Sequence, residues 1–76
     1  MRIYLGGHLN FYHPQKSNWL KVDFDPPKRL TEILKAAGIP LDEVHLVVIN
    51  GKVQDVQTTL TSDQDEVKVY SAVGGG

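Results

Sequence analysis

A single segment with helical spacing lies among segments that alternate between apolar and polar residues, and this combination limits the fold most strongly. Four apolar residues form one helical stripe: Leu30, Ile33, Leu34 and Ala37. Gly38 and Pro40 are typical of a helix stop, so we place the helix at about 28–37. Because one helix covers only one face of a sheet, the chain is expected to form a two-layer α+β domain.

The alternating segments predict a mixed sheet of about four to five strands. The residues expected to face the helix are Met1, Ile3 and Leu5 in the first strand, Leu20, Val22 and Phe24 in the second, and Val67 and Val69 in the last. Residues 44–49 form an apolar run, and Asn50-Gly51 after it indicates a type I′ hairpin turn to a return strand at 52–56. The first and last strands are expected to lie side by side and parallel at the centre.

Two further side chains have predicted positions. Leu60 is the apolar residue of the polar segment 57–66, and we expect it to anchor this segment in the core. Trp19 is expected to cover the edge of the core, with its indole N–H exposed to water.

Composition argues against several classes of function. The 76 residues include no cysteine, so neither a disulfide nor a thiolate metal site can support the small core. Eight Lys and Arg against nine Asp and Glu give a net charge of −1, which argues against nucleic-acid binding because phosphate neutralisation needs clustered cations. No apolar stretch is long enough to span a membrane, so no membrane contact and a cytoplasmic location are expected. A chain this short leaves little room for a substrate pocket, which favours a carrier, modifier or binding module over an enzyme.

The order of these elements, together with two short motifs, is similar to a known family. The segment Val44–Gly51 resembles the apolar strand and Asn-Gly turn of the ThiS and MoaD sulfur carriers, which have the ubiquitin-like β-grasp fold. Asp63–Val67 resembles the Asp-Gly-Asp-x-Val turn of the same proteins, although Gln64 replaces the glycine. Residues 9–40 also resemble ubiquitin-like domains that are fused to certain bacterial ribonucleases.

The resemblance implies a β-grasp domain at 1–73 and a flexible glycine tail at 74–76. It further implies that a ThiF/MoeB-like activating enzyme consumes ATP to adenylate the carboxylate of Gly76, which then becomes a thiocarboxylate. A sulfur-acceptor synthase would use that sulfur in molybdopterin or thiamin biosynthesis or in a related thiolation. The chain would bind no cofactor itself and would act as a carrier or as the small subunit of such a synthase. Gly75 would enter the activating enzyme together with Gly76, because a tail without side chains fits a narrow channel.

A carrier must also be held by its enzymes, and the sheet face away from the helix is available for this contact. Parity places Tyr4, Lys68 and Tyr70 on that face. In the apolar run, either Leu46 and Val48 or Val47 and Ile49 face outward, and counting back from the turn by analogy with ubiquitin favours the first pair; alternatively the whole strand is buried on both sides. The predicted partner-binding residues are Tyr4, Leu46, Val48, Lys68, Tyr70, Ala72, Val73 and Gly74.

Other functions remain open at this point. The same tail would serve a ubiquitin-like modifier that forms an isopeptide bond through Gly76, and a non-covalent ubiquitin-like interaction module would not need the tail. The glycines could also be a frayed end or a cloning remnant. No thiol or carboxylate lies at ligand spacing from His8, His13 or His45, so no metal site is predicted.

Overall fold

The computed structural model describes residues 1–72. These residues form seven strands, one α-helix and two short 3₁₀ turns. In chain order they are β1 (Arg2–Gly6), a 3₁₀ turn (Leu9–Tyr12), β2 (Trp19–Lys21), β3 (Lys28–Arg29), α1 (Leu30–Ala36), a 3₁₀ turn (Leu41–Glu43), β4 (Leu46–Ile49), β5 (Lys52–Gln54), β6 (Leu60–Thr61) and β7 (Glu66–Tyr70). Among the described residues, no helix has both the length and the apolar character that a membrane crossing requires.

The main sheet has five strands in the order β2-β1-β7-β4-β5. The first and last strands, β1 and β7, are parallel neighbours at its centre, which confirms the prediction, and Ile3 lies opposite Val67. The other neighbouring pairs in this sheet are antiparallel. A second sheet is formed by β3 and β6 alone.

The core lies between α1 and one face of the main sheet. Ile3, Leu5, Val67 and Val69 on the central strands and Leu34 on α1 are fully buried. Burying a side chain of this kind contributes about 1.5–3 kcal/mol, and this layer is therefore the main source of stability in a cysteine-free chain. The predicted two-layer α+β β-grasp is confirmed.

The helix is shorter than predicted. Lys28 and Arg29 are not helical, because they pair with Thr61 and Leu60 in the second sheet. Arg29 is the N-terminal cap residue and makes no side-chain capping bond, so pairing between strands distant in sequence determines where the helix begins. The predicted stop is confirmed, since Gly38 has a φ of +80° just beyond the helix.

The hairpin turn forms as predicted. Asn50 has a φ of +50° and Gly51 a φ of +85°, which are the left-handed conformations that a type I′ turn needs. The Asn50 side chain also ties this turn to the start of β7: its Nδ2 donates to Asp65 at 2.9 Å, and its oxygen accepts from the Glu66 amide at 3.0 Å.

The predicted core anchor in the segment before β7 is wrong. Leu60 is 63% exposed, whereas its neighbour Thr61 is 1% exposed and donates its hydroxyl to the Lys28 carbonyl at 3.0 Å. The antiparallel pairing of β6 with β3 turns Thr61 inward, and Leu60 therefore faces outward. Gln64, which replaces the usual glycine, does not have a positive φ. The turn therefore accepts it without the backbone strain that a positive φ imposes on a residue with a side chain.

Candidate functional site

The face of the main sheet opposite α1, called the outer face from here on, carries side chains from all five strands. They are Arg2 and Tyr4 of β1, Trp19 and Lys21 of β2, Leu46 and Val48 of β4, Val53 of β5, and Glu66, Lys68 and Tyr70 of β7. Trp19 is 36% exposed, Leu46 42% and Val53 69%. A face with this much exposed apolar and aromatic surface is typical of an interaction site.

Three aromatic rings form a row across β2, β1 and β7. Tyr4 lies in the middle, with its ring centroid 5.2 Å from that of Trp19 in an edge-on contact and 5.9 Å from that of Tyr70 in a tilted one. The register produces the first contact, because Tyr4 lies directly opposite Trp19. Such pairs contribute about 0.5–1.5 kcal/mol beyond their buried area, so the row is a preformed feature of the surface.

Gly6 makes room for the ring at one end of the row. A Cβ atom at this position would lie 2.3 Å from Cδ1 and 2.6 Å from Cε1 of Tyr70, and 3.2 Å from Cε2 of Tyr4. These distances are well below ordinary van der Waals contact, so the ring of Tyr70 could not lie across β1 if residue 6 had a side chain.

Arg2 links the aromatic row to the start of β7. Its guanidinium lies 4.1 Å from the ring centroid of Trp19, in cation–π geometry, and its Nη1 atom lies 3.3 Å from Oε2 of Glu66. Both charged groups of this ion pair are exposed, so the pair adds little stability. Glu66 is the one acidic side chain of the outer face within residues 1–72, whereas Arg2, Lys21 and Lys68 are basic, and the face is therefore positive although the chain carries a net charge of −1.

The apolar half of the outer face comes from β4 and β5. Val47 and Ile49 are buried at 2% and 8% exposure, so Leu46 and Val48 face outward, as predicted, and the strand is not buried on both sides. Val48 lies opposite Val53 in the register, which extends the apolar surface onto the edge strand.

The last residue of β7 and the residue after it each accept a hydrogen bond from a backbone amide. The carbonyl of Tyr70 accepts a hydrogen bond from the His45 amide at 2.9 Å, and Oγ of Ser71 accepts one from the His8 amide at 3.1 Å. Ala72 is exposed. The predictions for Val73, Gly74, Gly75 and Gly76 lie outside the described residues.

The acidic turn before β7 makes specific bonds instead of presenting a free acidic surface. Oδ1 of Asp63 accepts from the Phe24 amide and lies near the Met1 ammonium, each at 3.2 Å. The Phe24 amide, and after it the hydrogen bond from the ammonium, hold the pKa of the Asp63 carboxyl below its ordinary value. Asp65 accepts from the Ser62 amide at 2.8 Å as well as from Asn50, so this turn has a structural role.

A second polar contact ties together two loops. The hydroxyl of Tyr12 donates to Glu43, and this bond, followed by desolvation and by the negative charge of Glu43, raises the pKa of Tyr12. This bond joins the 3₁₀ turn that precedes β2 (Leu9–Tyr12) to the 3₁₀ turn that follows α1 (Leu41–Glu43). It lies at the protein surface and does not belong to the outer face.

The histidines do not form a metal site in the part of the chain that the structure describes, where no three His, Cys, Asp or Glu side chains converge. His13 is 9% exposed, and its Nδ1 accepts from the Gln15 amide at 3.0 Å, which is a structural use of the ring. His8 and His45 are exposed.

Sequence reasoning missed some members of the outer face. Trp19 does not cover the core edge: because Leu20 points toward the core, its neighbour Trp19 points to the opposite face, and this parity signal was present in the sequence. Val53 and Gly6 were missed because their roles depend on cross-strand partners, Val48 and Tyr70, that adjacent residues do not reveal.

Comparison with protein families gives one result that bears on this geometry. The family model described as Mut7-C ubiquitin matches residues 1–73. This match confirms the expected ubiquitin-like β-grasp relationship. Comparison with curated proteins and with solved structures gave no match.

Proposed function

This chain belongs to the Mut7-C ubiquitin family, and on that premise we propose that it is a sulfur carrier of the ThiS/MoaD kind. Its partners are a ThiF/MoeB-like activating enzyme and a sulfur-acceptor synthase. The enzyme joins the carboxylate of Gly76 to the α-phosphate of ATP and releases pyrophosphate. A sulfur nucleophile such as hydrosulfide then attacks the acyl carbon, AMP leaves, and Gly76 carries a thiocarboxylate.

The observation that supports this proposal most strongly is the continuity of the outer face with the strand that leads to the glycines. Lys68 and Tyr70 belong to β7 and lie on the outer face, and the sequence after β7 ends in three glycines. An enzyme that binds the outer face therefore contacts the strand that leads, in sequence, to the group on which it acts. Binding of the domain at the outer face would hold the carboxylate of Gly76 near the enzyme's reacting groups, which lowers the entropic cost of the reaction step.

Within this proposal the chain supplies binding and positioning and leaves acid–base chemistry to the enzyme. Tyr4, Tyr70 and Leu46 provide rigid aromatic and apolar contact area, which has a low entropic cost on binding. Lys68 favours an acidic rim on the partner. Ala72, Val73 and Gly74 would contact the enzyme ahead of Gly75 and Gly76 in the sequence.

A non-covalent interaction module is a second candidate, and the extent of the family match favours it. The match covers residues 1–73 and does not include the last glycines. In such a module the outer face would bind its partner, and the tail would have no chemical role.

Trp19 reports binding at the outer face, since it is the only tryptophan and lies on that face. The activating enzyme, with its own tryptophans replaced by phenylalanine, should change Trp19 emission on binding. A Leu46→Asp variant should bind about tenfold or more weakly, as expected for a contact at the centre of an interface. The matched control is Leu60→Asp, because Leu60 is also exposed but lies in the second sheet.

Pyrophosphate release tests the chemical step separately. A variant lacking Gly75 and Gly76 should bind the activating enzyme but release no pyrophosphate from ATP. Normal binding without pyrophosphate release by the intact chain supports the interaction module. Equal binding by the Leu46→Asp and Leu60→Asp variants refutes the role of the outer face.

A further inference from the structure

The main sheet has a free edge at β2. Hydrogen bonds from the Leu5 amide to the Asn18 carbonyl and from the Val22 amide to the Met1 carbonyl show that residues 18, 20 and 22 direct their backbone groups toward β1. The alternate residues Lys21 and Asp23 therefore direct theirs away from the sheet. Within residues 1–72, the amides of Lys21 and Asp23 have no hydrogen-bond acceptor. This edge can accept a further strand.

An apolar groove of about 590 Å³ lies along this edge, between β2 and α1. Its apolar lining residues are Leu20, Val22, Phe24, Ile33, Ala36 and Ala37. One wall of the groove is formed by the solvent-exposed sides of Leu20, Val22 and Phe24, which pack on the core but are only partly buried. A strand added beside β2 would direct alternate side chains into this groove, on the same face of the sheet as Leu20 and Val22.

Charge distinguishes one end of the groove from the other. Its charged lining residues are Asp23, which follows β2, and Lys28 and Glu32, which lie just before and in the first turn of α1. None of the three forms an ion pair within the described residues. Two carboxylates against one ammonium leave this end negative. Leu20 in β2 and Ala36 at the end of α1 line the groove farther along these two elements, and no other charged residue within residues 1–72 lines it.

We propose that this groove binds an extended segment of a partner protein, which adds to the sheet as an antiparallel strand beside β2. Its alternate apolar side chains enter the groove, and basic residues at its N-terminal end lie near Asp23 and Glu32. Antiparallel addition is the more common pairing, and it directs the N-terminus of the segment toward the negative end. Backbone hydrogen bonds supply affinity, and the groove and its charges supply specificity.

This site is separate from the outer face, because Leu20 and Trp19 point to opposite sides of β2. The inference therefore does not depend on the sulfur-carrier proposal. A partner segment in the groove leaves the aromatic row free for an activating enzyme, so the domain can bind two partners together.

A capped peptide with the sequence Arg-Arg-Val-Thr-Val-Thr serves as the probe in two-dimensional ¹H–¹⁵N NMR with the full chain. Binding should shift the amide signals of Lys21 and Asp23 and those of the helix near Ala36, and should slow hydrogen exchange at the two edge amides. Replacing both arginines by glutamates should weaken binding about threefold or more, as for exposed ion pairs. Replacing the central threonine by proline should abolish binding, because proline removes a donor from the ladder.

Two variants of the chain complete the test. Ala36→Tyr places a large side chain in the groove and should abolish binding, whereas Lys35→Tyr adds the same group to a helix position outside the groove lining and should leave the dissociation constant unchanged. Absence of saturable shifts at millimolar peptide overturns the proposal, as do shifts confined to the outer face. If the glutamate and proline peptides bind as tightly as the original peptide, the proposal is also overturned. Shifts that depend on protein concentration without peptide would assign the edge to a second copy of the chain instead.

Discussion

The contact between Gly6 and Tyr70 predicts an unusual result for a Gly→Ala substitution in a strand. Gly6 does not have a positive φ, so alanine fits the backbone and should stabilise by about 0.4–1 kcal/mol through the unfolded state. The new Cβ would, however, lie 2.3 Å from Cδ1 of Tyr70. Displacing this ring from a packed position costs about 1–3 kcal/mol, including its contact with Tyr4. At the middle of these two ranges the net prediction is a loss of about 1.3 kcal/mol.

A double-mutant cycle with Tyr70→Ala tests this reasoning. In that background the clash with the Tyr70 ring is absent and only the 3.2 Å approach to Cε2 of Tyr4 remains, so Gly6→Ala should be neutral or should stabilise the protein by up to about 1 kcal/mol. The assay is urea unfolding followed by circular dichroism, in which a loss of 1 kcal/mol also corresponds to about 4–8 °C in Tm for a domain of this size. Equal effects of Gly6→Ala in the two backgrounds would refute the packing that the structure shows.

Further substitutions test the turn, the core and the acidic turn in the same unfolding assay. Gly51→Ala should cost about 1–2 kcal/mol, because its φ of +85° strains an L-residue although the space around it is open. Leu34→Ala should cost about 2–5 kcal/mol, whereas Leu60→Ala should change stability by less than about 0.5 kcal/mol, and similar losses would contradict the assigned burial. The pKa of Asp63 is lower in the folded state than in the unfolded state. The stability that the Asp63 carboxylate contributes is therefore fully present above the ordinary aspartate pKa and is lost as the pH falls from that value through the lower pKa of the folded state. Asp63→Asn should therefore reduce the acid sensitivity of stability, and an unchanged pH profile would count against this bond.

Much of the main sheet could be predicted because its signals are local. Alternation in residues 1–5 and 67–70 determines which side chains are buried, and Asn50-Gly51 has the one backbone conformation that such a turn accepts. Parity shows that Leu46 and Val48 share one face and Val47 and Ile49 the other, and counting back from the turn by analogy with ubiquitin selected the first pair as the outward one.

Apart from Trp19, whose outward position follows from local parity, the errors concern contacts between residues that are distant in sequence. Lys28 lies two residues before α1, but pairing with Thr61 places it in a strand, and the same pairing exposes Leu60. No periodicity in residues 57–66 reveals a two-residue strand. The role of Gly6 likewise depends on Tyr70, which only the parallel pairing of β1 and β7 brings next to it.

Intact-mass spectrometry tests the central claim most directly. The protein is purified from its native host and measured before and after incubation with ATP, the activating enzyme and sulfide. The account predicts a chain that ends at Gly76 and exchanges one carboxylate oxygen for sulfur. A lysine-branched adduct would make the chain a modifier instead, and an unchanged mass after activation would contradict the sulfur-carrier function.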